Sequence, residues 1–179
     1  VSLGGSVVDS VWSSGDGSFS GSQVTYASVG GNATIAAGNN IANCVLNGNG
    51  SFAGDNTFGL LELKPGNDYA FGVGLTQTIT NNLIANGTCT SLVTMHSATA
   101  GSRSAISKSV GVVTLNGVLL QDMSTTGGAT FVVNNGIDNG NNTGWSISSP
   151  ASHTYYWVGN GGNWNDPLHW SLISGGTGG

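Results

Sequence analysis

Three tryptophans and two tyrosines crowd into residues 155–170, as Tyr155, Tyr156, Trp157, Trp164 and Trp170. Flat rings at that density can cover the apolar faces of pyranoses, which makes the cluster a candidate carbohydrate-binding platform. The plainer use of the same rings is packing at the junction of two stacked units. Removing a ring costs binding in the first case and stability in the second.

Catalysis finds little to work with. A glycosidase needs two carboxylates facing each other across roughly 5–9 Å. Glu62 and Asp68 are close in sequence and stacking could bring either to Asp55, but solvated acids flanking Pro65 and Gly66 are the better reading. Uronate cleavage needs clustered cations, whereas Lys64, Arg103 and Lys108 are scattered. His96, His153 and His169 share no HxH or HExxH spacing, and neither a G-x-S-x-G nor a P-loop occurs. The chain therefore reads as a non-enzyme without a cofactor.

Two further groupings have competing readings. Asp138, Asn139, Asn141 and Asn142 could offer oxygens to Ca²⁺, although such runs commonly bond to their own backbone in turns. Cys44 and Cys89 are the only cysteines. They permit one disulfide in a secreted protein, or they are two small buried hydrophobes on different turns.

Charge narrows the partners. Three basic and eight acidic residues in 179 give a net charge of −5, so binding to nucleic acid phosphates or to an anionic membrane surface is not expected. No apolar run reaches the roughly 18 residues of a membrane helix. Solubility must rest on Asn, Ser, Thr and backbone groups. With no charged n-region before an apolar stretch at Val1 and an ending in SGGTGG, the sequence is expected to be an internal piece of a longer polypeptide.

The elements that must carry these residues are short. Runs such as VTYASV, IANCVL, FGLLELK, TQTITNNLIA and GATFVVNN are strand-like and are separated by GN, GNG, GDN, PGND and NGT. Related pieces, IANCVLNG, FGLLELKPG and ITNNLIANG, return at very roughly 17–25 residues, a period typical of solenoids. Inward Ile, Leu, Val and Phe would stack coil on coil, Gly and Asn would turn the corners, and Asn would form ladders between coils. The expected fold is all-β, a right-handed parallel β-helix, with an antiparallel β-sandwich as the alternative. The expected divisions are an N-terminal capping segment or end of a preceding unit over 1–23, the β-helix over 24–148, a linker over 149–154 around Pro150, and a Trp-rich unit over 155–179.

Residues 117–147, GVLLQDMSTTGGATFVVNNGIDNGNNTGWSI, are similar to the closing coils of β-helical repeats in very large cell-surface adhesins of Bacteroidota. YYWVGNGGNWNDPLHWSLISGG resembles the opening of the next repeat, and residues 58–97 match the same pattern, so the resemblance covers most of 40–179. It implies a SprB-like adhesin of the gliding-motility type, secreted by the type IX system and forming filaments on the outer membrane. Within such a filament the chain would be a stiff spacer and attachment module, extracellular, with neighbouring repeats and surface polysaccharide as partners. Asp9-Ser10-Val11 resembles the O-glycosylation acceptor of these bacteria and makes Ser10 a candidate modification site. A free-standing carbohydrate-binding module and a polysaccharide-active β-helix enzyme are the alternatives.

Overall fold

The computed structural model describes residues 1–179, which divide into two units, Val1–Ser149 and Pro150–Gly179. In the first unit the chain alternates between sheets as it winds. One sheet holds eight strands in the order β1 (Ser2–Gly4), β3 (Gly17–Ser20), β5 (Ala33–Ile35), β7 (Gly50–Phe52), β9 (Asp68–Phe71), β11 (Val93–Ser97), β14 (Val118–Gln121) and β17 (Ile137–Asp138). The second holds β2 (Val7–Ser13), β4 (Gln23–Val29), β6 (Asn40–Leu46), β8 (Asn56–Leu63), β10 (Thr76–Ala85), β12 (Ser104–Ser107) and β15 (Met123–Thr126). A third, of β13 (Val112–Asn116), β16 (Thr130–Asn134) and β18 (Trp145–Ile147), begins late.

Every pairing between these strands is parallel, with neighbours one winding apart. That is a parallel β-solenoid of about eight turns, and it rules out the antiparallel sandwich. At about 4.8 Å per strand, eight stacked strands span roughly 34 Å along the axis. Residues 1–23 supply β1, β2 and β3, so they form the first coil of the same stack.

Coil length is uniform at first and then is not. Register partners are Val7 with Gln23, Gln23 with Asn40, and Asn40 with Thr57, separations of 16, 17 and 17 residues. Thr57 then pairs with Thr78 and Thr78 with Ser107, separations of 21 and 29. The long coil holds a tight turn in which Thr88 and Ser91 bridge.

The inward positions of the second sheet follow an unusual spacing. Val24, Ala27 and Val29 are buried, as are Ile41, Cys44 and Leu46, then Phe58, Leu61 and Leu63. An i, i+3, i+5 pattern departs from strict alternation, which places side chains on opposite faces at every step. Two consecutive residues therefore point outward and bend the strand. Gly59 sits at that bend, where a Cβ would lie 2.3 Å from the Ala42 carbonyl oxygen. In β10 the bend becomes a bulge between Ile79 and Asn82, and one coil later the strand has separated into β12 and β13. Lys108, buried at the break, donates from Nζ to the Asn81 carbonyl at 2.7 Å.

Columns of like residues fill the interior. Phe19, Ile35, Phe52 and Phe71 are register partners on successive coils, and the Phe52 and Phe71 rings stack at 4.4 Å. Gly17, Ala33 and Gly50 lead to Tyr69 in the adjacent column. The ring explains Gly50, since a Cβ there would meet Tyr69 at 2.9 Å. The buried Tyr69 hydroxyl donates toward the carbonyls of Leu46 and Lys64, both at 3.0 Å, and burial pushes its pKa up to about 12.

One corner is polar and buried. Asn39 Oδ1 accepts from the Ser22 N–H, and Asn56 Oδ1 accepts from both the N–H and Nδ2 of Asn39. Asn56 Nδ2 donates to Gln77 Oε1 at 3.0 Å. Spare amide protons go to the carbonyls of Ala36 and Gly54. Buried amides are tolerated only when paired, and these are paired with one another along the stack.

Asn56→Ala is expected to lower stability by roughly 1–3 kcal/mol, because it strands the N–H of Asn39 and the amide of Gln77. Asn40→Ala, on the exposed neighbour, should change it by under about 0.5 kcal/mol. Urea midpoints of the two variants check this, and equal losses would mean the ladder is not what holds the corner.

Candidate functional site

The second unit is built around its rings. β19 (Tyr156–Trp157) pairs antiparallel with β20 (Trp170–Ser171), setting Trp157 opposite Trp170. Asp166 opens the 3-10 turn Pro167–His169 by accepting from the Leu168 N–H at 3.0 Å. Trp170 Nε1 donates to the Trp164 carbonyl at 2.9 Å, folding that loop back over the hairpin.

The rings then meet at short range. Trp164 and Trp170 lie edge to face at 4.4 Å, Trp157 and Trp170 at 5.3 Å, and Trp157 stacks on the imidazole of His169 at 4.7 Å. Tyr155 approaches Trp170 at 6.4 Å. The cluster thus finds partners within itself. Tyr156 pairs in register with Ser171 and makes no ring contact with the tryptophans. Tyr155, Trp164, Pro167, Trp170, Leu172 and Gly179 line an open, mainly apolar cavity of about 760 Å³. Trp164, at 71% exposure, leaves most of its ring to solvent. The arrangement can hold a flat apolar surface and has no charged side chain in its lining.

The residues weighed for chemistry are dispersed among structural duties. Glu62 is held by Lys64. Asp68 lies 2.9 Å from Nε2 of His96, and Asp55 Oδ1 accepts from the Thr76 N–H at 2.6 Å. His153 lies near Tyr155 and His169 within the aromatic cluster. Ser10 is exposed on β2, its hydroxyl 3.5 Å from the Asp9 carboxylate.

Of the two cysteine readings, the disulfide is absent and the buried-hydrophobe reading holds for Cys44 but not for Cys89. Cys44 lies inside the solenoid beside Ala27 and Leu61, whereas Cys89 is exposed in the turn of the longest coil, and both are free thiols. Their 45-residue separation puts one on an inward strand position and the other on an insertion. Burial pushes the Cys44 pKa up to about 12.

The residues weighed for calcium are engaged with protein donors and acceptors. Asp138 Oδ1 accepts from the Gly140 N–H and from Asn142 Nδ2, and Asn142 Oδ1 accepts from the Met123 N–H. Asn139 donates to Gln121 and Asn141 to Asp122, one coil earlier. The run is a turn network and an intercoil ladder.

Sequence reasoning missed two features. Asp122, 2% exposed, adopts φ 56° and accepts from Asn141 Nδ2 and the Gly101 N–H. Those two hydrogen bonds, Asn141 foremost, hold its carboxyl below the usual aspartate range. Arg103 donates from Nε to the Asn141 carbonyl at 2.7 Å and braces the same corner. The other feature is an outward aromatic pair, Trp12 and Tyr26, with ring centroids 4.7 Å apart. Its signal was the VVDSVWS run, which repeats the spacing of VTYASV.

No family model, curated protein or solved structure matches this chain in comparison with known proteins.

Two outcomes follow from this geometry. In native protein one thiol, Cys89, should react with a chromogenic disulfide reagent within minutes, and a second only after denaturation. Two slow thiols, or none in either state, would contradict the placement. Because the Asp122 pKa is depressed on folding, its contribution is complete above the ordinary aspartate range and is lost as pH falls through the lowered value. Urea midpoints between about pH 5 and pH 2 should therefore fall less steeply for Asp122→Asn than for the parent chain. Parallel curves would count against this assignment.

Proposed function

We propose that this chain is a structural and adhesive segment of a long extracellular filament, a stiff spacer that also touches the surface to which a cell attaches. The observation that carries this reading is the contiguous buried core of the solenoid, whose residues stack from coil to coil, with the Asn ladder joining Ser22, Asn39, Asn56 and Gln77 along the first coils. Such a stack delivers length in proportion to the number of coils, and its continuous packed core resists bending. The charge-poor composition suits contact with neutral surfaces without strong electrostatic selection.

The resemblance of most of residues 40–179 to giant Bacteroidota adhesins supports an outer-membrane location and a role in gliding or adhesion. No helix of the structure is long and apolar enough to cross a membrane. A second reading, a carbohydrate-binding module, is favoured by the open cavity beside Trp164 and Trp170. The acids considered for a polysaccharide-cleaving site serve separate partners, which supports a non-catalytic role.

Immunogold labelling of intact source cells with an antibody to the solenoid is expected to decorate filaments standing off the cell body. Labelling that appears only after permeabilisation would overturn the proposal.

A further inference from the structure

The outward face of the first coils bears an aromatic pair that the packing of the solenoid does not need. Trp12 is 72% exposed on β2, in register with Ser28, and Tyr26 is in register with Ser10 and Asn43. Trp12 and Tyr26 are therefore diagonal neighbours across two strands, their rings 4.7 Å apart and tilted by 32°. Side chains stand perpendicular to a sheet, so a further coil stacked on β2 would extend the sheet beside Trp12 and leave its ring face open.

The surroundings are polar and nearly free of charge. Ser10, Ser28 and Asn43 lie within the same register block. Asn43 gives its amide to the Thr25 carbonyl and Asn47 gives its own to the Ser28 hydroxyl, so the hydrogen-bonding groups beside the rings are held in place. The three cations are occupied elsewhere: Lys64 with Glu62, Lys108 with the Asn81 carbonyl, and Arg103 with the Asn141 carbonyl. The carboxylate at hand is Asp9, next to Ser10.

We propose that Trp12 and Tyr26 form a binding platform for the apolar face of an uncharged pyranose, presented by a neutral polysaccharide. The rings supply stacking area, the fixed hydroxyl and amide groups supply hydrogen bonds to sugar hydroxyls, and Asp9 disfavours acidic sugars. A rigid parallel sheet holds both rings, so little ordering cost remains at binding. This deepens the attachment half of the function proposed above and rests on it for its biological setting. It also gives that role to the solenoid, with the Trp164 cavity as a separate surface.

The test titrates the full chain with a soluble β-glucan, a soluble mannan and, as the acidic contrast, alginate, following tryptophan fluorescence and calorimetry. Expected is binding to at least one neutral polymer in preference to alginate. Trp12→Ala should weaken that binding at least tenfold with an unchanged urea midpoint, Tyr26→Ala should weaken it too, and Trp164→Ala should not. Absence of binding to either neutral polymer, a Trp12→Ala variant that binds like the parent, preference for alginate, or loss confined to Trp164→Ala would each overturn it. A Trp12→Ala variant that loses stability instead of affinity would mark the pair as a cross-strand prop and equally overturn it. Filament labelling on cells reports on the broader function independently, so the two can fail separately.

Discussion

The structure depends on keeping a buried corner hydrogen-bonded while the chain turns through it. A solenoid coil must fold back on itself, and the turning residues bring polar backbone groups against the core, where an unpaired N–H costs roughly 1–3 kcal/mol. Ser22, Asn39, Asn56 and Gln77 solve this by handing amide protons from coil to coil. Once that column is fixed, the inward residues that follow it in each strand have no freedom of register. A slip of one residue would turn Ile41, Cys44 and Leu46 out of the core.

The same constraint explains where regularity ends. The ladder joins coils of uniform length as far as Asn56, and Gln77, with a longer side chain, reaches across a coil that has gained residues. Beyond it the bulge in β10 opens the bend that earlier coils had closed with two outward residues. The next coil divides there into separate strands, and a third sheet begins. Lys108 brings a donor to the Asn81 carbonyl that the bulge exposes. Later corners use other chemistry, with Asp122 and Asn141 in place of the neutral ladder.

Much of the fold was legible because the inward residues are large and the turns are marked. The runs VTYASV, IANCVL and FGLLELK coincide with β4, β6 and β8, and the Asn content did signal ladders. Three things were hidden. The turn NGTCTS announces a change of direction, but its composition is the same whether the chain moves on to a new coil or, as here, lengthens the current one. Asp122 in a left-handed conformation carries no glycine to betray it. Residues 1–23 concealed a regular coil because Ser and Gly occupy positions that elsewhere hold Ala and Val. Of the candidate site, the aromatic cluster was visible by density alone, whereas Trp12 needed its partner across the sheet to be noticed. The cysteine question stayed open because composition does not tell an inward strand position, Cys44, from an inserted turn, Cys89.

The uneven coil lengths have a mechanical meaning. Hydrogen bonds between coils lie along the axis, so axial tension is borne by every interface, and a terminal coil, with a neighbour on one side only, is the first to peel. A freed 17-residue coil yields about 60 Å of slack at roughly 3.5 Å per residue, against about 4.8 Å of rod consumed. Each surrendered winding thus lengthens the chain more than tenfold locally, and the longest one, with 29 residues between register partners, releases the most. A stack of this kind resists small loads as a strut and absorbs large ones as a ripcord.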